Sequence, residues 1–150
     1  METLNLRRIP ISGWSQCVHE VASFESEGEY CAATVLDNSK AVNWWFRNDP
    51  VVLRIPTPVG YFEPDFVYLA ERAGKVCYGI MEIKGGIFWD GEGSTPRLKS
   101  AAARRWVQAV NEAGAEQWEY SLVLDCDAVG AGSLEELLRN AQEIEPAREI

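Results

Sequence analysis

The feature that most constrains this chain is a pair of apolar runs whose outer ends carry charged residues. The runs at 65–70 and 76–83 flank residues 71–75, whose length and composition suit the loop of a β-hairpin. The second run is apolar without alternation, which predicts a central strand with both faces covered. We therefore expect helices on both sides of the sheet that contains this hairpin.

The charged residues meet at the open end of the predicted hairpin. With the loop centred at Ala73 or directly after it, the register brings Asp65 opposite Glu82 or opposite the residue before it. In the directly opposed register the Cβ atoms of the two acids lie about 5 Å apart. Glu82 and Lys84 leave the same face of their strand, about 7 Å apart along the chain. Three charged side chains therefore converge at one place.

This arrangement predicts a metal site. Two like charges that face each other beside an apolar run destabilise a sheet unless a cation lies between them, and Lys84 supplies only one charge. The carboxylates of Asp65 and Glu82, the backbone carbonyl of Ile83 and water would suit Mg²⁺, with Mn²⁺ as a substitute. Such an ion binds a phosphodiester oxygen and lowers the pKa of an attacking water, which Lys84 could orient or help deprotonate. Because a lone Glu-x-Lys pair is usually an exposed ion pair of little energetic value, the prediction rests on the three residues as a set.

The rest of the sequence argues against several other activities. A formal net charge of -9 on 150 residues disfavours a general basic coat for nucleic acids. The single histidine, His19, has no G-x-S-x-G sequence beside it, and no G-x-x-x-x-G-K-[ST] sequence is present, which disfavours a hydrolytic triad and nucleotide hydrolysis. A zinc site from Cys17, His19 and Cys31 is a minor alternative to reduced thiols in or near a core, because zinc ligands normally come in close pairs.

The length fits a single domain, 1–150, with a core at about 20–125. Periodicity and turn residues predict helices at 27–36, 96–113 and about 133–142, a strand at 118–124, strands at 41–47 and 51–55 that open the sheet, and a glycine-rich loop at 85–93. The strands at 41–47 and 51–55 are taken together as the opening part of the sheet and written as one element. The predicted order is then αβββαβα in an α/β fold. The sequence shows no apolar stretch that could span a bilayer and no secretory signal, so we expect a cytoplasmic protein without membrane contact.

The residues of the predicted site resemble the PD-(D/E)XK nuclease superfamily. Within it, the chain resembles the endonuclease domain of the restriction (Res) subunits of type III restriction enzymes, over roughly residues 24–124. The sequence EPDFV at 63–67 resembles the first half of the family motif, and MEIKG at 81–85 resembles the second half. Phe24, Ser26 and Glu29 resemble the family's helical F-N-S-x-x-E element.

The resemblance implies a restriction-endonuclease-like fold, with a mixed central β-sheet flanked by helices, and Mg²⁺-dependent cleavage of DNA. It implies that Asp65 and Glu82 are metal ligands, and that Lys84 is the catalytic lysine. Glu29 would complete the catalytic site, or would lie on a solvated helix face. A non-catalytic protein- or nucleic-acid-binding module that retains the fold is the alternative function.

The resemblance also bears on partners. The type III subunits attach this domain to an ATP-driven motor, whereas this chain has no Walker sequence. We therefore expect either an excised domain or a free-standing nuclease, with a helicase/ATPase motor on another chain or a missing segment as a possible partner. Because a double-strand break requires two copies of a small active site, a homodimer is a second possible assembly.

The predicted helix after the site carries the clearest positive stretch beyond the first residues. From Ser94 to Trp118, four basic and two acidic residues give a net charge of +2. Five residues at spacings of three and four form one predominantly polar stripe opposite the apolar one: Arg97, Ala101, Arg104, Gln108 and Asn111. We predict DNA contacts by Arg97, Arg104, Arg105 and Gln108, with an ordinary solvated helix face as the alternative.

Overall fold

The chain folds into a four-stranded mixed β-sheet with helices on both faces, beside a separate two-stranded sheet. The computed structural model describes residues 9–85, 95–114 and 116–146. In these residues the elements are α1 (Glu27–Asn38), β1 (Val42–Arg47), β2 (Ile55–Thr57), β3 (Gly60–Phe62), β4 (Phe66–Arg72), β5 (Lys75–Lys84), α2 (Thr95–Ala113), β6 (Trp118–Leu124), α3 (Asp125–Gly130) and α4 (Leu134–Arg139). The large sheet has the strand order β1-β4-β5-β6; β1, β4 and β5 are antiparallel, and β6 is parallel to β5.

The predicted central hairpin is confirmed as β4 and β5. Phe66 pairs with Met81, so the next pair outward in this register is Asp65 with Glu82. The turn residue Gly74 has a φ of 76°, in the left-handed region that glycine adopts without a steric penalty. Because β5 lies between β4 and β6, the prediction of a central strand is also confirmed.

The sheet has a hydrophobic core on each face, as the uninterrupted apolar run in β5 predicts. Phe66, Tyr68 and Met81 face one core, where α1, α3 and α4 contribute buried alanines and leucines. Val67 and Ile80 face the other core, where α2 contributes buried small residues and a valine. This arrangement confirms the predicted α/β class and the helices on both sides.

Tyr68 links three strands by crossing the sheet above Gly79. An added Cβ at Gly79 would lie 2.0 Å from Cζ of Tyr68, so only glycine leaves room for the ring. The Tyr68 hydroxyl donates a hydrogen bond to Glu119 in β6, and Glu119 also forms an ion pair with Arg72 in β4. Burial raises the pKa of Tyr68 well above its usual value, so the phenol stays protonated as a donor.

The prediction of a strand at 51–55 is wrong. β1 pairs with β4 instead, while β2 begins at Ile55 and pairs with β3 in the two-stranded sheet. The Asn48 side chain accepts hydrogen bonds from the backbone N–H groups of Val52 and Leu53 and donates one to the Leu53 carbonyl. Because this side chain satisfies backbone groups that a strand partner would otherwise bind, the segment forms a loop despite its β-branched residues.

The region after β6 differs from the prediction in its helices. The structure contains α3, which the sequence patterns did not predict, and α4 ends at Arg139 rather than near Gln142. Ser133 caps α4 as its position indicates, since its hydroxyl accepts a hydrogen bond from Glu136 N. Residues 86–93 of the predicted glycine-rich loop lie outside the described residues. None of the helices in the described segments is long and apolar enough to cross a membrane.

We expect Gly79→Ala to destabilise the protein, because the new methyl group would overlap the Tyr68 ring. Overpacking of this kind lowers the free energy of unfolding by about 1–3 kcal/mol, which urea unfolding measures. Gly130→Ala is the matched control, since no heavy atom of the described residues lies within 4 Å of the added Cβ. Equal stability of the two variants would contradict the close passage of Tyr68 over Gly79.

Candidate active site

The predicted site residues lie together at the end of the large sheet where β4 begins and β5 ends. Asp65 directly precedes β4, and its Oδ2 accepts a 2.8 Å hydrogen bond from Ile83 N in β5. Lys84 Nζ lies 3.5 Å from Glu82 Oε1. The structure therefore brings Asp65, Glu82 and Lys84 together, with the Asp65 carboxylate held against the end of the neighbouring strand.

The backbone of Ile83 turns toward Asp65. The N–H and C=O groups of one strand residue face the same neighbour, so the bond from Ile83 N to Asp65 places the Ile83 carbonyl on that side as well. β4 starts at Phe66, opposite Met81, and Ile83 therefore lies beyond the paired part of the hairpin. This carbonyl could serve as the third oxygen ligand that the sequence predicts.

Glu82 is buried without a full set of hydrogen-bond partners. The residue is 7% exposed, and its Oε2 atom has no hydrogen-bond partner in the part of the chain that the structure describes. Burial raises the pKa of Glu82 well above its usual value, and the neighbouring Asp65 charge raises it further. Burial also raises the pKa of Asp65, although Arg47 opposes that shift. Two adjacent carboxyl groups with an unpartnered oxygen fit a hard divalent cation, which takes oxygen ligands.

Side chains alone provide too few ligands to hold a metal ion at this site. Across residues 9–85, 95–114 and 116–146, no group of three or more His, Cys, Asp or Glu side chains could hold a metal ion. The zinc alternative of Cys17, His19 and Cys31 therefore has no support, and both cysteines are free thiols. A cation at the sheet end would depend on two carboxylates, a backbone carbonyl and water.

Glu29 points into the protein, so the alternative of a solvated helix face is wrong. It lies in the first turn of α1, is 5% exposed, and donates its backbone N–H to the Ser26 cap. Its Oε1 atom is 2.9 Å from Arg47 Nε. Burial and the Asp65 charge raise the pKa of Glu29 to about 7, against the opposing effect of Arg47.

Arg47 is the site residue that the sequence predictions missed. Its side chain, 11% exposed, lies 3.5 Å from Asp65 Oδ1 through Nη2 and donates from Nη1 to the Asp65 backbone carbonyl. The Arg47 Nε–H is not aligned for a hydrogen bond to Glu29, so that contact is a close ion pair. Asp65 was identified as a charged residue at the end of an apolar run. Arg47 likewise follows the run VNWWF, so the same pattern could have indicated it.

A cavity of about 220 Å³ lies beside the acid and lysine pair of β5. Lys99 also contributes to its wall, and makes no ion pair with the other described residues. A phosphate group that entered the cavity would therefore meet the ammonium groups of Lys84 and Lys99 and the carboxyl groups of Glu63 and Glu82. The lining residues are Tyr61, Phe62, Glu63, Glu82, Lys84, Pro96, Lys99 and Ser100.

Helix α2 presents a different face to the sheet from the one predicted. The Arg104 guanidinium lies 5.6 Å from the ring centroid of Tyr120, and Asn111 bonds to both backbone polar groups of Trp118. Arg104 and Asn111 therefore face the sheet, and the prediction of a stripe opposite the buried face is wrong for these two residues. The buried residues of α2 are Ser100, Ala102, Ala103 and Val107, whereas Arg97 and Arg105 are half-buried and Gln108 is exposed.

The mixed sheet between helices, with two acids and a lysine at one end of its central hairpin, defines a restriction-endonuclease-like fold. Residues 15–124 match the model of a family described as an endonuclease domain, and the chain belongs to this family. The match spans α1, the large sheet and α2, and therefore contains every residue of the site. Comparison with curated proteins and with solved structures gave no significant match.

We expect the metal-free protein to lose stability as the pH rises from 4.5 to about 7, the usual and raised pKa values of Glu29. In this window the folded protein retains a proton that the unfolded chain has released, so the free energy of unfolding falls with pH, by about 3 kcal/mol for this shift. The raised pKa values of Asp65 and Glu82 act in the same direction.

Glu29→Gln should make this decline shallower, because a carboxyl group that titrates in the window is removed. Urea unfolding at several pH values in a chelating buffer measures both slopes. Identical slopes for the two proteins would show that Glu29 has an ordinary pKa in the folded state.

Proposed function

We propose that this protein is a Mg²⁺-dependent DNA endonuclease domain that hydrolyses phosphodiester bonds, with Mn²⁺ as a substitute ion. The observation that carries the proposal is the buried Asp65 and Glu82 pair, with an unpartnered carboxylate oxygen beside Lys84 and a cavity. Membership of the endonuclease domain family supports the reaction class.

Each side chain of the site has a separate role in this proposed reaction. Asp65, Glu82 and the Ile83 carbonyl would hold the cation, which supplies a Lewis acid for a phosphate oxygen and for water. Lys84 is 34% exposed and lines the cavity, where its ammonium group can donate to a phosphate oxygen or orient the attacking water. Glu29 acts through Arg47, which contacts both Glu29 and Asp65.

The DNA would approach the face of the sheet that α2 covers. The first turns of α2 contribute Pro96, Lys99 and Ser100 to the cavity wall, so a strand held along this helix passes the site. We propose that Arg97, Arg105 and Gln108 contact phosphates from this helix, and that Arg104 joins them by leaving the Tyr120 ring.

We further propose that the domain belongs to, or is related to, a restriction or DNA-processing system of the type III kind that acts in the cytoplasm. In such a system a helicase/ATPase motor on another chain or segment would deliver the DNA. A homodimer would supply the second active site that a double-strand break requires. The motif residues around Asp65 and Glu82 support this context through their resemblance to the type III subunits.

We expect the protein to nick or linearise supercoiled plasmid at low salt with Mg²⁺ or Mn²⁺, and we expect Lys84→Ala and Asp65→Ala to abolish this cleavage. Lys75→Ala is the matched control, because Lys75 is an exposed lysine at the opposite end of the same strand. Cleavage by gel electrophoresis and melting temperature with and without metal are measured on each protein.

The outcomes separate the two candidate functions. No cleavage, together with no metal-induced rise in melting temperature, would favour the non-catalytic binding module that retains this fold. Stabilisation by metal without cleavage would leave the site in place and indicate that the missing component is the motor or another partner.

We expect the double variant Arg104→Ala/Arg105→Ala to bind DNA more weakly and with a flatter dependence on salt, because two phosphate contacts are lost. Fluorescence anisotropy with labelled duplex, over a range of salt concentrations, measures both quantities. Arg139→Ala is the control, since Arg139 lies in the last turn of α4 on the other face of the sheet. Unchanged affinity and slope in the double variant would reject α2 as the DNA contact.

A further inference from the structure

We propose that Arg47 limits the site to one divalent cation, because its guanidinium lies between the two carboxyl groups that a second cation would need. This inference rests on the metal-dependent function proposed above. It assigns a role to a residue outside the acid and lysine motif.

The guanidinium of Arg47 bridges Glu29 and Asp65. Nε is 2.9 Å from Glu29 Oε1, and Nη2 is 3.5 Å from Asp65 Oδ1. A third contact, from Nη1 to the Asp65 carbonyl at 3.1 Å, fixes the orientation of the side chain, which also lies beside the Phe66 ring. With 11% of its side chain exposed, Arg47 has little freedom to leave this position.

The position of Arg47 affects the number of bound ions, because two metal ions in one site share a carboxylate ligand. Two-metal sites place their ions about 3.5–4 Å apart, with oxygen ligands on both sides. Asp65 is placed to be the shared ligand, because its Oδ2 accepts a hydrogen bond from Ile83 N, next to Glu82, and its Oδ1 faces the guanidinium that contacts Glu29. Arg47 contacts the Asp65 and Glu29 pair, whereas Glu82 forms its ion pair with Lys84 and with no arginine of the described residues.

The local charge also favours one ion. When ionised, Glu29, Asp65 and Glu82 carry three negative charges, and Arg47 and Lys84 carry two positive charges, which leaves a net charge of -1. One divalent cation changes this net charge to +1, and a second would change it to +3 in a largely buried site. Without Arg47, two divalent cations would give +2, and Glu29 would become available as a ligand.

Glu29 is then a positioning residue that holds Arg47, rather than a metal ligand. This assignment agrees with the finding that no three acidic side chains in the described parts of the chain form a group that could hold a metal. Arg47 suits the role better than lysine would, because its planar group reaches two carboxylates at once.

The test counts Mn²⁺ ions bound per chain, from the electron paramagnetic resonance signal of free Mn²⁺ during a titration. We expect one ion for the wild-type protein, two for Arg47→Met, and one again for Arg47→Met/Glu29→Gln, since the second ion depends on Glu29. Arg54→Met is the matched control and should bind one ion, because Arg54 is a 52% exposed arginine that pairs with Glu63 instead.

Each outcome decides between the proposals. Two ions on the wild-type protein, or one ion on a folded Arg47→Met variant, would overturn the role of Arg47 and leave the metal site intact. No Mn²⁺ binding to the wild-type protein would overturn the proposed metal site as well. If Arg47→Met shows no cooperative unfolding transition, Arg47→Gln replaces it, because glutamine keeps a donor for the carboxyl groups but removes the charge.

Discussion

The burial of three carboxyl groups at one end of the sheet is the constraint on which the rest of the site depends. Glu29, Asp65 and Glu82 come from α1, from the start of β4 and from the end of β5, and burial raises the pKa of each. Like charges in such a place are tolerated only with cations and directed hydrogen bonds around them. Arg47 and the Ile83 amide supply part of this compensation, and in the function that we propose a divalent cation supplies the remainder.

The sequence was sufficient for the part of the site that lies within one hairpin. The register between Asp65 and Glu82 follows from the position of the turn, because the two strands are adjacent in the chain and only two registers were compatible with the loop. The apolar run of β5 likewise indicated a strand covered on both faces, which two cores and helices on both sides confirm. Local patterns work here because the pairing partner is the next strand along the chain.

Other features depend on contacts between distant segments, and local patterns could not predict them. Arg47 reaches Asp65 because β1 pairs with β4 rather than with the segment that follows it, which Asn48 holds as a loop. The prediction for α2 placed Arg104 and Asn111 on a polar stripe opposite the apolar one, whereas Arg104 packs on the Tyr120 ring and Asn111 bonds to the Trp118 backbone. Helix α3, only six residues long, is too short to show a helical period.

The hydrogen bond from Ile83 N to Asp65 has a consequence for how this domain can change over evolution. Asp65 secures the edge of the hairpin as well as lying at the site, so its loss would loosen the sheet together with any chemistry. Lys84 is one-third exposed, and its contact in the described residues is the ion pair with Glu82, so its loss would remove a charge from the site without removing a hydrogen bond between strands. In a lineage that lost catalysis but kept the domain for binding, substitutions of Lys84 would therefore be tolerated more readily than substitutions of Asp65, which would be retained as a structural residue.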